Sequence, residues 1–181
     1  VDGPAGTGKT KVAVSLAAEK LKSDPFFKLI LIRPAITSEK DLGHLPGTLE
    51  EKYSPYIEPF MDYLEESLGK SHVRNLVKNE RIIAKPIAYL RGKTFKDCWV
   101  ILDEAQNTTP EQMKLVLTRI GENAKLIVDG DIDQTDIQGQ NGLSDAIDRL
   151  YNIQGIKVVT FTEDDIVRHG LIKYILKAYR D

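Results

Sequence analysis

Apolar and polar positions fall into short alternating blocks along this chain. Lys28-Leu29-Ile30-Leu31-Ile32-Arg33 reads as a strand whose four middle residues are an unbroken apolar run, the mark of a strand buried on both faces of a parallel sheet. Residues 81–85, 99–102, 125–128 and 156–161 read as further strands, with 87–90 extending the first of these beyond Pro86. Between them, apolar residues recur at helical spacing over 12–21, 54–68, 72–79, 110–120, 143–151 and 171–179. The helix breakers agree: Ser23-Asp24-Pro25 closes the first helix, Pro55 and Pro59 interrupt or start the second, and Gly69 stops it. Thr108 or Thr109 caps the helix that opens with Pro110, and Gly121 closes it. Tyr56, Phe60, Tyr63 and Leu64 share one helical face and read as core. The segment 35–49 reads as turns around Gly43, Pro46 and Gly47. Strand and helix alternate, which predicts a three-layer α/β fold with a mainly parallel sheet, as one domain over 1–181. Ligands of such sheets bind at the carboxyl ends of the strands.

The polar blocks at those strand ends carry the chemistry. Gly3-Pro4-Ala5-Gly6-Thr7-Gly8-Lys9-Thr10 is a full-length phosphate-binding loop leading into the first helix. Glycines let successive N–H groups turn toward one anion. Lys9 supplies a cation for the β and γ phosphates, the Thr10 hydroxyl is a ligand for Mg²⁺, and the helix N-terminus adds its dipole. This loop sits almost at the first residue, Val1, although such loops ordinarily hang from a central strand. The reading expects that strand to be missing before Val1.

In Trp99-Val100-Ile101-Leu102-Asp103-Glu104-Ala105-Gln106 an apolar strand delivers two carboxylates to its exit. Asp103 is placed to hold Mg²⁺. Glu104 is placed as the base that orients a water molecule. The pair suits hydrolysis better than transfer to a small molecule, which seldom needs the second acid. Gly130-Asp131-Ile132-Asp133-Gln134 follows the next strand. Gln134 carries no charge and so can approach a γ-phosphate or its attacking water, while Asp131 supports the metal or holds the loop. No Asn-Lys-x-Asp run is present to read guanine, so adenine, and hence ATP with Mg²⁺, is the expected nucleotide.

Composition narrows the partners. The net charge is −2, and acidic residues crowd the stretch from Asp129 to Asp148, so the chain as a whole is no polyanion-binding body. No apolar stretch reaches bilayer-spanning length, so no membrane partner is expected. Cys98 is the single cysteine, a packed small hydrophobe by its surroundings; the usage suits a cytoplasmic protein. His44, His72 and His169 show no metal-ligand spacing.

The loop, the Ile101-to-Thr109 block and Gly130-Asp131-x-x-Gln134 together resemble the PhoH-like family, P-loop ATPases related to superfamily-one helicase cores. Arg33-Pro34-Ala35, Leu42-Gly43-His44-Leu45-Pro46-Gly47, Ala88-Tyr89-Leu90-Arg91-Gly92-Lys93-Thr94, Glu111-to-Lys114, Leu117-to-Gly121 and Val167-Arg168-His169 are similar to its other blocks. The resemblance covers nearly the whole chain. Asp2, Asp129, Gln138 and Gly170 depart from the family's usual residues; Asp129 stands where Thr or Ser is usual and adds charge.

The resemblance implies a RecA-like P-loop NTPase domain that binds ATP and hydrolyses it with Mg²⁺, and, more weakly, action on RNA or single-stranded nucleic acid. A helicase closes its nucleotide site with an arginine from a second lobe. A single lobe implies a homo-oligomeric ring, a hexamer among the candidates, in which a neighbour supplies that cation. Arg168 and Arg119 are the candidates, with Arg33 and Arg91 facing the same cleft or a nucleic-acid strand. A nucleotide-gated assembly module with slow or incidental hydrolysis is the rival reading, and a small-molecule kinase the third.

Overall fold

The computed structural model describes residues 1–34 and 48–167. The loop runs directly into helix α1, Lys9–Ser23, through Gly8, whose φ of 80° occupies the left-handed region. The helix therefore starts three residues earlier than the apolar spacing predicts. Its buried stripe is Ala13, Val14, Ala17, Ala18 and Leu21.

Strands β1 (Lys28–Ile32), β2 (Ile82–Ala84), β3 (Cys98–Leu102) and β4 (Lys125–Val128) form one sheet in the order β2-β1-β3-β4. Every pairing is parallel, with Leu31 beside Ile101 and Ile101 beside Ile127. Side chains alternate across the strands. Leu29, Leu31 and Ile101 face a core shared with α1, helix α2 (Leu49–Leu68) and helix α3 (Lys70–Lys78). Ile30, Ile32, Val100 and Leu102 face a second core with Met113 and Val116 of α4 (Pro110–Leu117) and Leu143 of α5 (Gly142–Leu150). Helices on both faces of an all-parallel sheet give the expected three layers. Cys98 is buried in this second core, and burial pushes its thiol pKa up, as a packed small hydrophobe requires.

Four further expected elements differ. Helix α2 begins at Leu49, not at 54, behind a Thr48–Glu51 capping box, and it runs through Pro55 and Pro59. Pro55 lacks the N–H that would reach the Glu51 carbonyl; the Ser54 hydroxyl donates to that carbonyl instead, at 2.9 Å. Residues 87–90 do not extend β2 but form a 3-10 turn, in which the Tyr89 N–H donates to the Pro86 carbonyl at 3.1 Å. Helix α4 ends at Leu117 rather than 120, because the chain turns so that Phe95 can bond Arg119 and Gly121 through its backbone. Residues 156–161 form no regular strand. Their pairing is a single bridge from Thr160 to Asp2, with Asp2 N–H on the Val159 carbonyl and Phe161 N–H on the Asp2 carbonyl. Asp2 also bridges Gly130, whose N–H donates to the Val1 carbonyl at 3.2 Å. The expected turns at 35–47, with the Leu42-to-Gly47 block, and the terminal helix over 171–179 lie outside the described residues.

Candidate functional site

The sheet assembles the site at the carboxyl ends of β3 and β4, against the loop that opens the chain. Asp103 follows β3, its N–H on the Ile32 carbonyl, and Asp129 follows β4, its N–H on the Leu102 carbonyl. Both strand exits are thus locked to the neighbouring strand before any side chain is considered. The apolar strands make this inevitable: the first polar residue after each run emerges at the same sheet edge.

Within the loop, the Thr7 hydroxyl donates to the Pro4 carbonyl at 2.9 Å. Lys9 Nζ donates to the carbonyls of Gly3 at 2.7 Å and Pro4 at 3.0 Å. Gly3 sits at φ 151°, and a Cβ there would run into Phe161. The loop is held from outside by Asp131, whose Oδ2 accepts from the Ala5 N–H at 3.0 Å while its Oδ1 accepts from Asp133 N–H at 3.1 Å. Of the two roles expected for Asp131, holding the loop is the one its contacts fulfil. Val167 N–H donates to the Gly6 carbonyl at 3.1 Å and closes the other side.

Across the cleft, the Thr10 hydroxyl donates to Asp103 Oδ1 at 2.9 Å. Asp103 is 3% exposed. Glu104 adopts the left-handed conformation, φ 52°, which turns its side chain out of the strand direction. Both of its oxygens are engaged: Oε1 accepts from Arg33 Nη2 at 2.9 Å and Oε2 from Gln106 Nε2 at 2.6 Å. Arg33 Nε also lies 3.6 Å from Asp103 Oδ2.

Gln106 is the connector that the motif reading did not single out. It is 2% exposed; its amide donates to Glu104 and its carbonyl accepts from the Asp131 N–H at 3.1 Å. Gly130 makes room for it, since a Cβ at 130 would strike Gln106 Oε1 and the Leu143 side chain. A run of Asp-Glu-x-Gln at a strand exit was the available signal, but the spacing does not say that the amide faces back toward the carboxylates.

Asp129 was also not counted as a site residue. Asp129 is 0% exposed, its carboxyl lies within hydrogen-bonding reach of Asp103, and among the described residues neither oxygen finds a donor. Burial first, and then the Asp103 carboxylate, push its pKa well above the usual carboxylate range; the Lys9 charge pulls the other way. Two ionised carboxylates cannot hydrogen-bond, so contact between them needs a proton or a cation.

A cavity of about 550 Å³ opens over these groups, lined by Gly6, Gly8, Lys9, Thr10, Asp103 and Glu104 among others, with Tyr63, Gln134 and Val167 at its rim. That volume suits a small-molecule ligand. A second cavity of about 540 Å³ lies on the far side of Glu104, Gln106 and Gln134 and contains Arg33, Tyr56 and Asp133. Of the aromatic stripe of α2, Phe60 and Leu64 are core and Tyr63 packs against it while also lining the first cavity; Tyr56 lines the second. Arg33 enters the second cavity rather than the first. Arg91 and Arg119 line a third, separate cavity with Glu111, so neither reaches the loop of its own chain. Arg168 lies outside the described residues. The structure thus brings Ala5, Gly6, Gly8, Lys9, Thr10, Asp103, Glu104 and Gln134 to one cleft, while Gly3, Pro4 and Thr7 take part in the loop's internal hydrogen bonds and do not line it. Among the described residues, no helix is long and apolar enough to cross a membrane.

The sequence pattern of the family described as PhoH-like protein matches residues 1–180. The chain is 46% identical over 179 residues to a PhoH-like protein of Bacillus subtilis, covering 98% of this chain and 56% of that one. It is 44% identical over 179 residues to a PhoH-like protein of Mycobacterium tuberculosis, covering 98% of this chain and 51% of the relative. It is 42% identical over 181 residues to Protein PhoH of Escherichia coli, with 98% and 51% covered. The chain spans about half the length of the curated relatives it matches.

Proposed function

We propose that this chain, which belongs to the PhoH-like protein family, binds ATP with Mg²⁺ in the cleft between residues 3–10 and the exits of β3 and β4, and hydrolyses it. The observation that carries the reading is the Thr10–Asp103 contact of 2.9 Å, made across 93 residues of sequence. It joins the loop to the strand exit that would complete a phosphate site. A hydroxyl and a carboxylate at this spacing are the oxygen donors a hard cation takes, so the residues present fit Mg²⁺. When bound, the ion would neutralise charge on the β and γ oxygens.

The chain's own groups supply the rest. The Lys9 ammonium, held on two loop carbonyls, exchanges them for phosphate oxygens and gains a charged partner. Glu104, pinned at both oxygens, presents its carboxylate as a base to a water molecule between it and the γ-phosphate. Gln134, on the rim of both cavities, senses the γ-phosphate without adding charge. The cations lining the cleft are Lys9 and Lys11, and no arginine lines it among the described residues. Val167 does line it, which keeps Arg168, next in sequence, as the candidate cation in its own chain or a neighbour's. A homo-oligomer acting on RNA or single-stranded nucleic acid is the extension of this reading.

Equilibrium titration with a fluorescent adenine nucleotide and Mg²⁺, followed by phosphate release with and without single-stranded RNA, tests it. Saturable binding lost in Lys9→Ala, and turnover lost in Glu104→Gln with binding kept, are the expected results. A folded chain that takes up no nucleotide overturns the reading. Assembly only with ATP, at a hydrolysis rate unmoved by nucleic acid, favours the gated module.

A further inference from the structure

Asp129 is the one described carboxyl that is fully buried with both oxygens lacking a hydrogen-bond donor. Its neighbour Asp103 is compensated, by the Thr10 hydroxyl at 2.9 Å and by Arg33 Nε at 3.6 Å. Asp129 has no such partner, yet it lies against the Asp103 carboxyl and feels the charge of Lys9. Burying a second carboxyl against the first is costly unless something positive is shared between them. The position is fixed by backbone rather than by chance packing: the Asp129 N–H is bonded to Leu102 and its carbonyl accepts from Ala105 N–H at 3.0 Å.

We infer that Asp129 is a second carboxylate for the divalent cation at the Thr10–Asp103 pair, holding it directly or through a water molecule. The inference rests on the proposed nucleotide site and adds to it a residue that lies outside the three motifs' expected metal donors. An oxygen-seeking cation between two carboxylates and a hydroxyl removes the repulsion that burial otherwise imposes. It gives the orphaned oxygens of Asp129 their partner. It also makes cation binding at this site tighter than one carboxylate and one hydroxyl would give.

The test is Mn²⁺ titration of the full chain carrying a non-hydrolysable ATP analogue, read from the electron paramagnetic resonance signal of free Mn²⁺. Asp129→Asn and Asp129→Ser are each expected to weaken Mn²⁺ binding by about tenfold or more, with analogue affinity in chelator unchanged or tighter. Asparagine keeps an N–H donor for Asp103, so it separates the alternatives. If Asp129 serves only as a protonated donor that positions Asp103, Asp129→Asn binds Mn²⁺ within about twofold of the parent, and the inference is overturned. A parent chain that binds analogue and Mn²⁺ while both variants match it sinks this inference and leaves the nucleotide site standing. A parent chain that binds no analogue sinks both.

Discussion

Arg33 and Glu104 are ion-paired at 2.9 Å across the edge between two cavities, although 71 residues separate them. Arg33 is itself fixed at the end of β1, where Tyr53 accepts from its N–H and donates to its carbonyl, both at 2.8 Å. The pair therefore ties the candidate base to a rigid strand end. Gln106 takes the other carboxylate oxygen. A base restrained at both oxygens keeps one orientation, and that is worth more to a reaction than to stability.

Arg33→Ala should consequently lower turnover by about tenfold while leaving nucleotide affinity within about threefold. The decisive comparison is the double variant. If Arg33 acts through Glu104, then Arg33→Ala costs nothing further in a Glu104→Gln background. Additive losses in steady-state phosphate release would show that Arg33 acts on something else, with Asp103 the nearest alternative at 3.6 Å.

Gly130 tests the connector in a different way. A methyl group at this position meets the Gln106 amide, the Leu143 side chain and the Ala105 backbone. Two of these are packed and cannot swing aside. Gly130→Ala should cost about 1–3 kcal/mol in urea unfolding and should also lower turnover, because Gln106 loses its place between Glu104 and Asp131. A variant as stable and as active as the parent would mean that the loop after β4 is looser than these contacts allow.

The buried Tyr53 hydroxyl sets an alkaline limit on stability. Burial raises its pKa to about 12 from the ordinary 10.0, against the smaller opposing pull of its Arg33 hydrogen bond. A phenol with a raised folded-state pKa holds its proton longer in the native chain than in the unfolded one. Its contribution is complete below pH 10 and is lost as pH climbs through about 12, by about 3 kcal/mol for a two-unit shift. Urea unfolding of parent and Tyr53→Phe between about pH 9 and about pH 12 should show a steeper fall for the parent. Equal slopes would refute the assignment.

What could be read from the residues alone was whatever lies contiguous in the chain. The loop from Gly3 to Thr10 and the strand delivering Asp103 and Glu104 are each one uninterrupted string, with the chemistry built into the spacing. Strand β1 is legible for a similar reason: four consecutive residues, Leu29 to Ile32, buried on two faces leave little else for the pattern to mean. Contacts that only the fold creates were not legible. Nothing in the sequence brings Arg33 to Glu104, turns Gln106 back onto it, or buries Asp129 against Asp103. The misread elements fail for local reasons. Pro86 ends the run of β2 and its carbonyl starts a turn, Ser54 repairs the helix that Pro55 should break, and residues 156–161 pair, among the described residues, with Asp2 alone.

Asp131 offers a case in which two physical effects predict opposite signs. Its carboxylate lies beside the cleft proposed to receive a polyanion, so simple electrostatics says that removing it should tighten nucleotide binding. Its contacts say otherwise. Oδ2 holds the Ala5 amide at 3.0 Å and Oδ1 holds the Asp133 amide at 3.1 Å, so one side chain fixes both the phosphate loop and the turn that carries Gln134. Charge-assisted bonds of this kind are worth about 1.5–3 kcal/mol each, and the side chain is 8% exposed, so water does not readily replace it. A repulsion felt across the cleft would be screened by the proposed cation and by Lys9, whereas a loop freed from its anchor must be reordered each time a ligand binds. Positioning should win: Asp131→Ala is expected to weaken nucleotide binding by about tenfold or more in equilibrium titration. Asp131→Asn, which keeps one acceptor, should fall between that variant and the parent. Tighter binding in Asp131→Ala would mean that the loop holds its curl without the carboxylate and that charge alone governs the site.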